Sequence, residues 1–236
     1  MVRVLILGFF LSMVSSEPAS SWALVPYSAD DAPLARFRET SRKVTVGGAN
    51  ITLEQDWATR GVAGVLWDSA VVLTEHLLGP DSGIELRNKK IVELGAGLGL
   101  PSIALSISPD SDRRPARIVA TEQPLGLPQL RRNVALNQAD VEIAELDWAD
   151  PEAAAIGSDD FDLILGADLV YKEEAFELLR KTLLTLARPH TIILFASRIR
   201  YPKDRKFYRS LAGEFRVEKL RYDQETDVFL YRIQRL

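Results

Sequence analysis

A glycine-rich segment follows a strand-like run in IVELGAGLGL (91–100), and an acidic residue, Glu93, precedes its glycines. Glycines on alternate positions allow a ligand to approach the backbone closely. The dinucleotide-binding fingerprint is excluded, because Leu100 stands where its third glycine is required. A Walker phosphate loop is excluded too, because no Gly-Lys-Ser/Thr follows. The carboxylate of Glu93 would repel a pyrophosphate, and it favours a cationic ligand. The alternative to a ligand-binding loop is an ordinary tight turn from strand to helix.

Further side chains suited to ligand binding stand at the ends of the next two strand-like runs. Glu122 closes ARIVATE (116–122), where a carboxylate can accept hydrogen bonds from both hydroxyls of a ribose. Trp148 follows VEIAEL (141–146) and could lie against the face of an adenine. Each residue alone has a structural alternative, a solvated acid or a half-buried tryptophan. Their appearance at successive strand ends strengthens the prediction of a ligand site, and a cationic ligand such as the amino or sulfonium group of S-adenosylmethionine would suit the loop.

The composition excludes several other functional classes. The chain has 236 residues, of which 47% are hydrophobic, and this allows one α/β domain with a sizeable core. Its net charge of −4 disfavours general nucleic-acid binding. Without cysteine, the chain has no disulfide, cysteine-ligated metal or thiol nucleophile. With His76 and His190 as its two histidines, a histidine-rich metal site or a Ser-His-Asp triad is disfavoured. We therefore expect no metal and no nucleic-acid partner.

Five apolar runs, separated by segments of helical periodicity, must position these side chains. They predict strands that are buried on both faces, as in a parallel sheet with helical crossovers. A helix near 204–213 and an antiparallel pair of strands, FRVEKLRY and VFLYRIQRL, complete a doubly wound, mostly parallel, seven-stranded α/β sheet. Ligands of such Rossmann-like sheets bind beyond the carboxyl ends of the strands. The predicted strands are 89–94, 116–122, 141–146, 161–168 and 191–197, and the predicted helices between them are 99–107, 126–138 and 172–187.

Two elements precede this alternating pattern. The segment KVTVGGANITLEQD (43–56) has alternating runs on both sides of a Gly-Gly pair, which predicts a β-hairpin. The segment DSAVVLTEHLLGP (68–80) has apolar residues at helical spacing and ends in Gly-Pro, which predicts a helix. We assign residues 41–236 to one domain and residues 1–40 to an N-terminal extension.

The N-terminal extension begins with an apolar stretch. Arg3 is followed by apolar residues from Val4 to Val14 and then by small polar residues, a pattern typical of a short secretory signal peptide. The stretch is too short for a comfortable membrane span, and we expect no stable membrane insertion. The alternative is an apolar extension that packs on the domain.

Five segments of the chain carry a resemblance to a known family, which covers about residues 43–235: GVLWDSAVVL (64–73), IVELGAGLGLPSIALS (91–106), TEQPLGLPQLRRNVALN (121–137), LDW (146–148) and FDLILGADLVY (161–171). The last of these segments is the most specific. On these motifs the chain resembles the class I, seven-stranded S-adenosylmethionine-dependent methyltransferases. More narrowly, it is similar to methyltransferase family 16, in the methyltransferase-like 21 group of protein lysine methyltransferases.

The resemblance implies S-adenosylmethionine as cofactor and a set of residues that bind it. The glycine loop would hold its methionine part, and Trp148 would lie beside its adenine. Glu122 would hold the ribose, and it stands where relatives usually have aspartate, with the same charge on a longer arm. Trp67 commonly lines the cofactor pocket in this family, and a core residue that anchors the first helix is the alternative. The complete cofactor-binding set is Trp67, Glu93, Gly95, Ala96, Gly97, Glu122, Gln123, Asp147, Trp148 and Ala167.

The resemblance also implies an acceptor site at GADLVY (166–171), since family members carry Asp-x-x-Tyr/Phe after the fourth strand. A lysine amine has an ordinary pKa near 10.4 and must lose a proton before it attacks, and desolvation favours its neutral form. We expect Asp168 to orient this amine by a hydrogen bond, and Tyr171 to wall the acceptor channel. A carboxylate alone would also stabilise the ammonium form. Asp168 could in addition cap a helix that begins near Lys172.

The implied function is transfer of a methyl group to a lysine of a protein. The Asn-Pro-Pro-Tyr type of motif, used on amide and base nitrogens, is absent, and methylation of RNA pyrimidine carbon needs a cysteine. A small-molecule amine, an arginine or histidine acceptor, and a non-catalytic binding module are the alternatives. Substrates of the family include chaperones, AAA ATPases and translation elongation factors. We expect a cytoplasmic monomer with access to the nucleus, while the N-terminal stretch leaves secretion open.

A cluster of basic residues follows the fifth predicted strand. We interpret it as a solvated loop, and the alternative is a contact surface for an acidic protein substrate, because the loop borders the acceptor side of the sheet. The cluster consists of Arg198, Arg200, Lys203, Arg205 and Lys206.

Overall fold

A computed structural model describes residues 37–152, 154, 156 and 159–236 of the chain. The signal-like stretch and nearly all of the predicted extension 1–40 lie outside the described residues. Within them, no single helix has the length and apolar composition needed to cross a membrane, although the helix pair Trp57–Gly64 and Asp68–Leu78, bent by 47°, meets that test jointly.

Nine strands and six α-helices make up the described part of the chain, with short 3₁₀ turns between them. The strands are β1 (Ser41–Val46), β2 (Ala49–Glu54), β3 (Lys90–Leu94), β4 (Arg117–Glu122), β5 (Glu142–Glu145), β6 (Leu163–Ala167), β7 (Ile192–Arg198), β8 (Phe215–Asp223) and β9 (Val228–Arg235). The helices are α1 (Trp57–Arg60), α2 (Asp68–Leu78), α3 (Leu100–Ser106), α4 (Leu127–Leu136), α5 (Phe176–Leu186) and α6 (Pro202–Ser210).

Seven of the strands form one sheet in the order β5-β4-β3-β6-β7-β9-β8. The pairs β5-β4, β4-β3, β3-β6 and β6-β7 are parallel, and β9 runs antiparallel to both β7 and β8. This confirms the predicted fold class, including the antiparallel pair at the end of the sheet. The chain first adds β4 and β5 on one side of β3, and it then crosses to the other side of β3, where it adds β6 and the later strands. Ligands of such sheets bind at this reversal, beyond the carboxyl ends of the strands.

Both faces of the sheet are covered, because alternate residues of each strand point to opposite sides. On one face, Ile91 and Leu163 pack in a cluster with Leu73 from α2. On the other face, Val92 packs in a cluster with Leu183 from α5. All five of these side chains are almost fully buried, which explains why the strands appear in the sequence as continuous apolar runs.

Two predicted helices differ from the observed ones at their ends. Predicted helix 172–187 starts as a 3₁₀ turn, Glu173–Ala175, and only then becomes α5. Predicted helix 204–213 begins at Pro202 instead. Proline suits a first helical turn, because its missing N–H would have no partner there. Asp204 then accepts the backbone N–H groups that precede the helix, which explains why α6 begins there.

The N-terminal hairpin of β1 and β2 is present as predicted, and it is joined to the domain through amide side chains of α4. Asn137 exchanges two hydrogen bonds with the backbone of Thr52, at 2.8 and 3.0 Å. Asn133 accepts from the N–H of Glu54 at 2.8 Å, and Gln129 donates to its carbonyl at 2.7 Å. These three residues stand four apart, on one face of the helix. Their amide groups form hydrogen bonds with the backbone N–H and C=O groups at the edge of β2, as a neighbouring strand would.

We predict that Asn133→Ala lowers the free energy of unfolding by about 2 kcal/mol, because it leaves buried backbone groups without partners. Asn133 is fully buried and also donates to the carbonyl of Leu98, beside the glycine loop. Chemical denaturation measures the change. The matched control is Arg132→Ala, since Arg132 also contacts Glu54 but is half-exposed, and we expect less than about 0.5 kcal/mol for it. Equal losses in the two variants would contradict this role of Asn133.

Candidate active site

A cavity of about 670 Å³ lies beyond the carboxyl ends of the central strands, at the reversal of strand order between β3 and β6. Its size is within the range of about 300–1,000 Å³ that is usual for small-molecule sites. Every predicted site residue except Glu93 lines this cavity. The predicted residues in its wall are Trp67, Gly95, Ala96, Gly97, Glu122, Gln123, Asp147, Trp148, Ala167, Asp168 and Tyr171.

The glycine loop turns sharply from β3 into α3 and presents its backbone to the cavity. Gly95 and Gly97 have φ angles of 54° and 55°, in the left-handed region that side chains with a Cβ disfavour. A Cβ on Gly95 would also lie only 2.8 Å from Leu169 Cδ2 and 3.5 Å from Trp148 Cζ2. The glycine at this position therefore keeps the floor of the cavity open between the ends of β3, β5 and β6.

Glu93 does not face the cavity, so the structure gives no direct contact between its carboxylate and a cationic ligand there. The side chain is 1% exposed, and its Oε2 accepts hydrogen bonds from both the backbone N–H and the hydroxyl of Ser102 in α3. Burial raises the pKa of Glu93 to about 7, the bonds from Ser102 oppose this rise, and the charge of Glu122 adds to it. Glu93 thus ties β3 to the helix that follows the glycine loop.

Glu122 reaches from the end of β4 to the glycine loop. Its Oε2 accepts the N–H of Gly97 and its Oε1 accepts the N–H of Gln123, both at 2.8 Å. Burial raises the pKa of this carboxyl group, and the two hydrogen bonds oppose the rise. A Cβ on Gly126 would collide with Glu122 Cγ, so the longer glutamate arm depends on a glycine four residues later. The carboxylate remains in the cavity wall, where a ligand with hydroxyl groups could reach it.

Trp148 and Asp147 follow β5 and occupy a turn at the edge of the cavity. Trp148 is half-buried and packs against the core beneath the sheet. Asp147 is exposed and accepts the N–H of Ala149 at 2.9 Å, which holds this turn. The indole is thereby held in the cavity wall, opposite the backbone of Gly95.

Trp67 also lines the cavity, and it lies directly before α2. Its indole N–H donates to the carbonyl of Val62 at 2.8 Å, and its ring lies 5.2 Å from that of Phe37. The guanidinium carbon of Arg200 is 5.6 Å from the centre of the Trp67 ring. Trp67 is therefore a wall residue that contacts a cation, and it is not an enclosed core residue.

Asp168, at the end of β6, is held tightly by an arginine. Arg200 donates to Oδ1 at 3.0 Å and to Oδ2 at 2.7 Å, a bidentate pair. The backbone of Asp168 has a φ of 56°, which is a strained conformation for a non-glycine residue and is characteristic of functional sites. The suggestion that Asp168 caps the next helix is wrong, because its carboxylate points to Arg200 and Lys172 provides the cap position without a side-chain bond.

The residues of the basic cluster at the end of β7 have different surroundings in the structure. Arg198 turns inward and pairs with Asp68 in α2 at 3.3 Å, and Arg200 turns into the cavity, while Arg205 and Lys206 are exposed. The interpretation of the cluster as a solvated loop is thus wrong for Arg198, whereas Arg200 is exposed and also pairs with Asp168. Sequence spacing gave no signal for this, because the partners of both arginines lie in distant segments.

Sequence reasoning predicted Tyr171 but missed four other exposed large side chains at the mouth of the cavity. Tyr171 is 38% exposed there, and burial together with the charges of Glu122 and Asp168 raises its pKa. Contiguous exposed apolar patches mark surfaces that contact a partner, and several of the large side chains that line this cavity are exposed. The exposed large side chains at the mouth are Val62, Leu125, Tyr171, Leu178 and Tyr201.

We predict that Glu93 makes the protein less stable as the pH rises. Its pKa is raised in the folded state from an ordinary 4.5 to about 7, so its contribution is fully present below pH 4.5 and is lost as the pH rises through 7. Between pH 4.5 and 8, the free energy of unfolding should fall by up to about 3 kcal/mol more in the wild type than in Glu93→Gln. Denaturation series at several pH values measure this.

The matched control for this prediction is Glu218→Gln, at an exposed position of β8, which should keep the pH dependence of the wild type. Parallel curves for the wild type and Glu93→Gln would contradict the prediction.

Comparisons with known proteins assign the chain to a family. The family model described as "Lysine methyltransferase" matches residues 46–214. Protein N-lysine methyltransferase METTL21A of zebrafish (Danio rerio) is 37% identical over 217 residues, which cover 89% of this chain and 95% of that protein. EEF1A lysine methyltransferase 3 of mouse (Mus musculus) is 31% identical over 191 residues, 78% of each chain.

Solved structures agree at the level of the fold. The 16S rRNA N2 G1207 methyltransferase of T. thermophilus, in complex with AdoMet and guanosine, superposes with a TM-score of 0.53 at 18% identity, over 83% of this chain and 50% of that one. A chain of a fibrillarin/Nop5p complex superposes with a TM-score of 0.54 at 14% identity, over 82% of this chain and 97% of that one. The extent of the family match and the identity to METTL21A show that this chain belongs to the lysine methyltransferase family.

Proposed function

We propose that this protein transfers a methyl group from S-adenosylmethionine to the side-chain amine of a lysine in a protein substrate. The observation that carries the proposal is that one cavity is lined by both sets of predicted residues. We assign the glycine loop, Glu122 and Trp148 to a first side, for the methyl donor, and Asp168 with Tyr171 to a second side, for the acceptor, so that the two can meet in this cavity. Holding two reactants together in one orientation can lower the barrier of such a displacement by about 7–11 kcal/mol.

The residues of the first side fit the proposed cofactor. The open floor at Gly95 accommodates a chain-like group close to the backbone, and the carboxylate of Glu122 suits a pair of hydroxyl groups. Trp148 offers an aromatic face on the same side. When bound, S-adenosylmethionine supplies an electrophilic methyl group, whose bond to sulfur breaks, with its electron pair going to sulfur, as the amine nitrogen forms the new N–C bond.

The residues of the second side act on the acceptor. Asp168 would accept a hydrogen bond from the amine and orient its lone pair, and Tyr171 would cover the lysine side chain and exclude water. Removal of water favours the neutral amine over the ammonium form. Neither residue needs to take the proton itself, since solvent borders the mouth of the cavity at Tyr171.

The exposed apolar mouth supports a protein as the substrate, because such a surface suits a partner that covers it. Among the relatives, one is named for lysine methylation of EEF1A. A translation elongation factor, a chaperone and an AAA ATPase are therefore the substrates that we propose to test first. We propose the cytoplasm, with access to the nucleus, as the place where the protein meets them.

We predict that incubation of the purified protein with methyl-tritiated S-adenosylmethionine and a cell lysate labels a discrete protein band, with the label on lysine. Asp168→Ala should lower this labelling at least about tenfold, which corresponds to loss of one charged hydrogen bond. Fluorography and amino-acid analysis of the band measure it. Label that appears only in the low-mass fraction, or on arginine or histidine, would contradict the proposed acceptor.

We also predict that Glu122→Gln weakens the binding of S-adenosylmethionine by about ten- to a hundredfold, because charge-assisted hydrogen bonds contribute about 1.5–3 kcal/mol. Isothermal titration calorimetry measures this. The matched control is Glu145→Gln, since Glu145 is the cross-strand neighbour of Glu122 in β5 but is exposed and lies outside the cavity wall. Unchanged affinity in Glu122→Gln would remove the proposed role of this carboxylate.

A further inference from the structure

Arg200 contacts both the ring of Trp67 and the carboxylate of Asp168, and all three residues line the cavity. Its guanidinium forms two hydrogen bonds to Asp168, at 2.7 and 3.0 Å, and lies 5.6 Å from the centre of the Trp67 ring. The side chain of Asp168 is only 7% exposed, while that of Arg200 is 29% exposed. The guanidinium therefore covers the carboxylate, and an amine that approaches Asp168 also approaches a positive charge.

This arrangement bears on how the acceptor loses its proton. A carboxylate without a partner would stabilise the ammonium form of a lysine and so oppose its deprotonation. In a bidentate pair with arginine the charge of the carboxylate is cancelled, and arginine keeps its own charge at any pH of interest. A nearby positive charge then favours the neutral amine, which is a known way to activate a lysine.

Asp168 nevertheless keeps room to accept from an amine. An ionised carboxylate has about four acceptor positions. Arg200 occupies two of them, and the backbone N–H of Arg198 makes a long contact of 3.4 Å to Oδ1. At least one position is left for an N–H group that comes from the cavity.

We propose that Arg200 is a positioning residue for the acceptor: by pairing with Asp168, it leaves this carboxylate able to orient a neutral amine but unable to hold the ammonium form. The ammonium proton passes to solvent water, and the nitrogen keeps the lone pair that forms the new bond to the methyl carbon. This role rests on the proposed lysine methyltransferase activity.

The other charged groups around the pair are engaged elsewhere, as far as the described residues show. Asp68 pairs with Arg198, Asp204 accepts backbone N–H groups, and Glu122 is bound to the glycine loop. The remaining titratable side chains that line the cavity or approach the pair are Arg60, Asp147, Tyr171, Lys172, Tyr201 and Tyr208. Arg200 is thus the cation that directly contacts the carboxylate of Asp168 through its side chain.

The pH dependence of methylation tests this role. Initial rates of tritium transfer to lysate proteins are measured between pH 6.5 and 9.5 at low substrate concentration and saturating cofactor. The rate of each variant is divided by the rate of the wild type at the same pH, so that titration of the substrate proteins cancels. Calorimetry with S-adenosylmethionine shows separately whether each variant still binds the cofactor.

We expect the relative rate of Arg200→Gln to be about 0.1 at pH 7 and to rise towards 1 with increasing pH, because losing the cation raises the pKa of the bound amine by about one unit. Arg200→Lys keeps the charge, and its relative rate should depend little on pH. Asp168→Asn should show the opposite slope to Arg200→Gln, with a lower maximum. The control Arg209→Gln removes an exposed cation of α6 that lies outside the cavity wall, and it should match the wild type.

Two outcomes would overturn the proposal. A loss in Arg200→Gln that is the same at every pH would show that the arginine only supports the structure. A gain in rate would show that it blocks the site. Absence of labelling by the wild type would instead contradict the proposed function, so the two failures can be told apart.

Discussion

The parallel pairing of β3 with both β4 and β6 is the constraint on which the site depends. Since all three strands run in one direction, their carboxyl ends meet at one edge of the sheet, and the chain must leave that edge on both sides of β3. The glycine loop, Glu122 and Asp168 are thereby brought to one cavity although they are far apart in the chain. Clusters of buried side chains cover the strands on both faces and hold this edge of the sheet in place.

Three carboxylates at the ends of neighbouring strands show how packing assigns different tasks to one chemical group. Glu93 is enclosed and bound by Ser102, so it holds a helix in place. Glu122 stays in the cavity wall while it braces the glycine loop. Asp168 is paired with Arg200, so its charge is cancelled where an acceptor amine would arrive. The partner of each carboxylate, more than its position after a strand, decides what it can do.

Most of the fold could be predicted from the sequence, because apolar runs and helical periodicity are local and strong. The strands, the hairpin and the antiparallel last pair were all found where the pattern placed them. Helix ends were less accurate, since a 3₁₀ turn before α5 and a proline before the predicted start of α6 depend on local hydrogen bonds. The basic cluster was misjudged at Arg198, because an arginine looks solvated until its distant partner is known.

The sequence by itself determined the fold class, the glycine loop and the family to which the chain belongs, since these follow from short-range patterns and residue types. Only the tertiary structure decided that Glu93 turns away from the cavity, that Asp168 does not cap a helix, and that Arg200 covers it. The reason is physical. Hydrogen bonds and ion pairs of buried side chains join residues that are distant in the chain, and no local pattern records which partner a charged group will meet once water has been excluded.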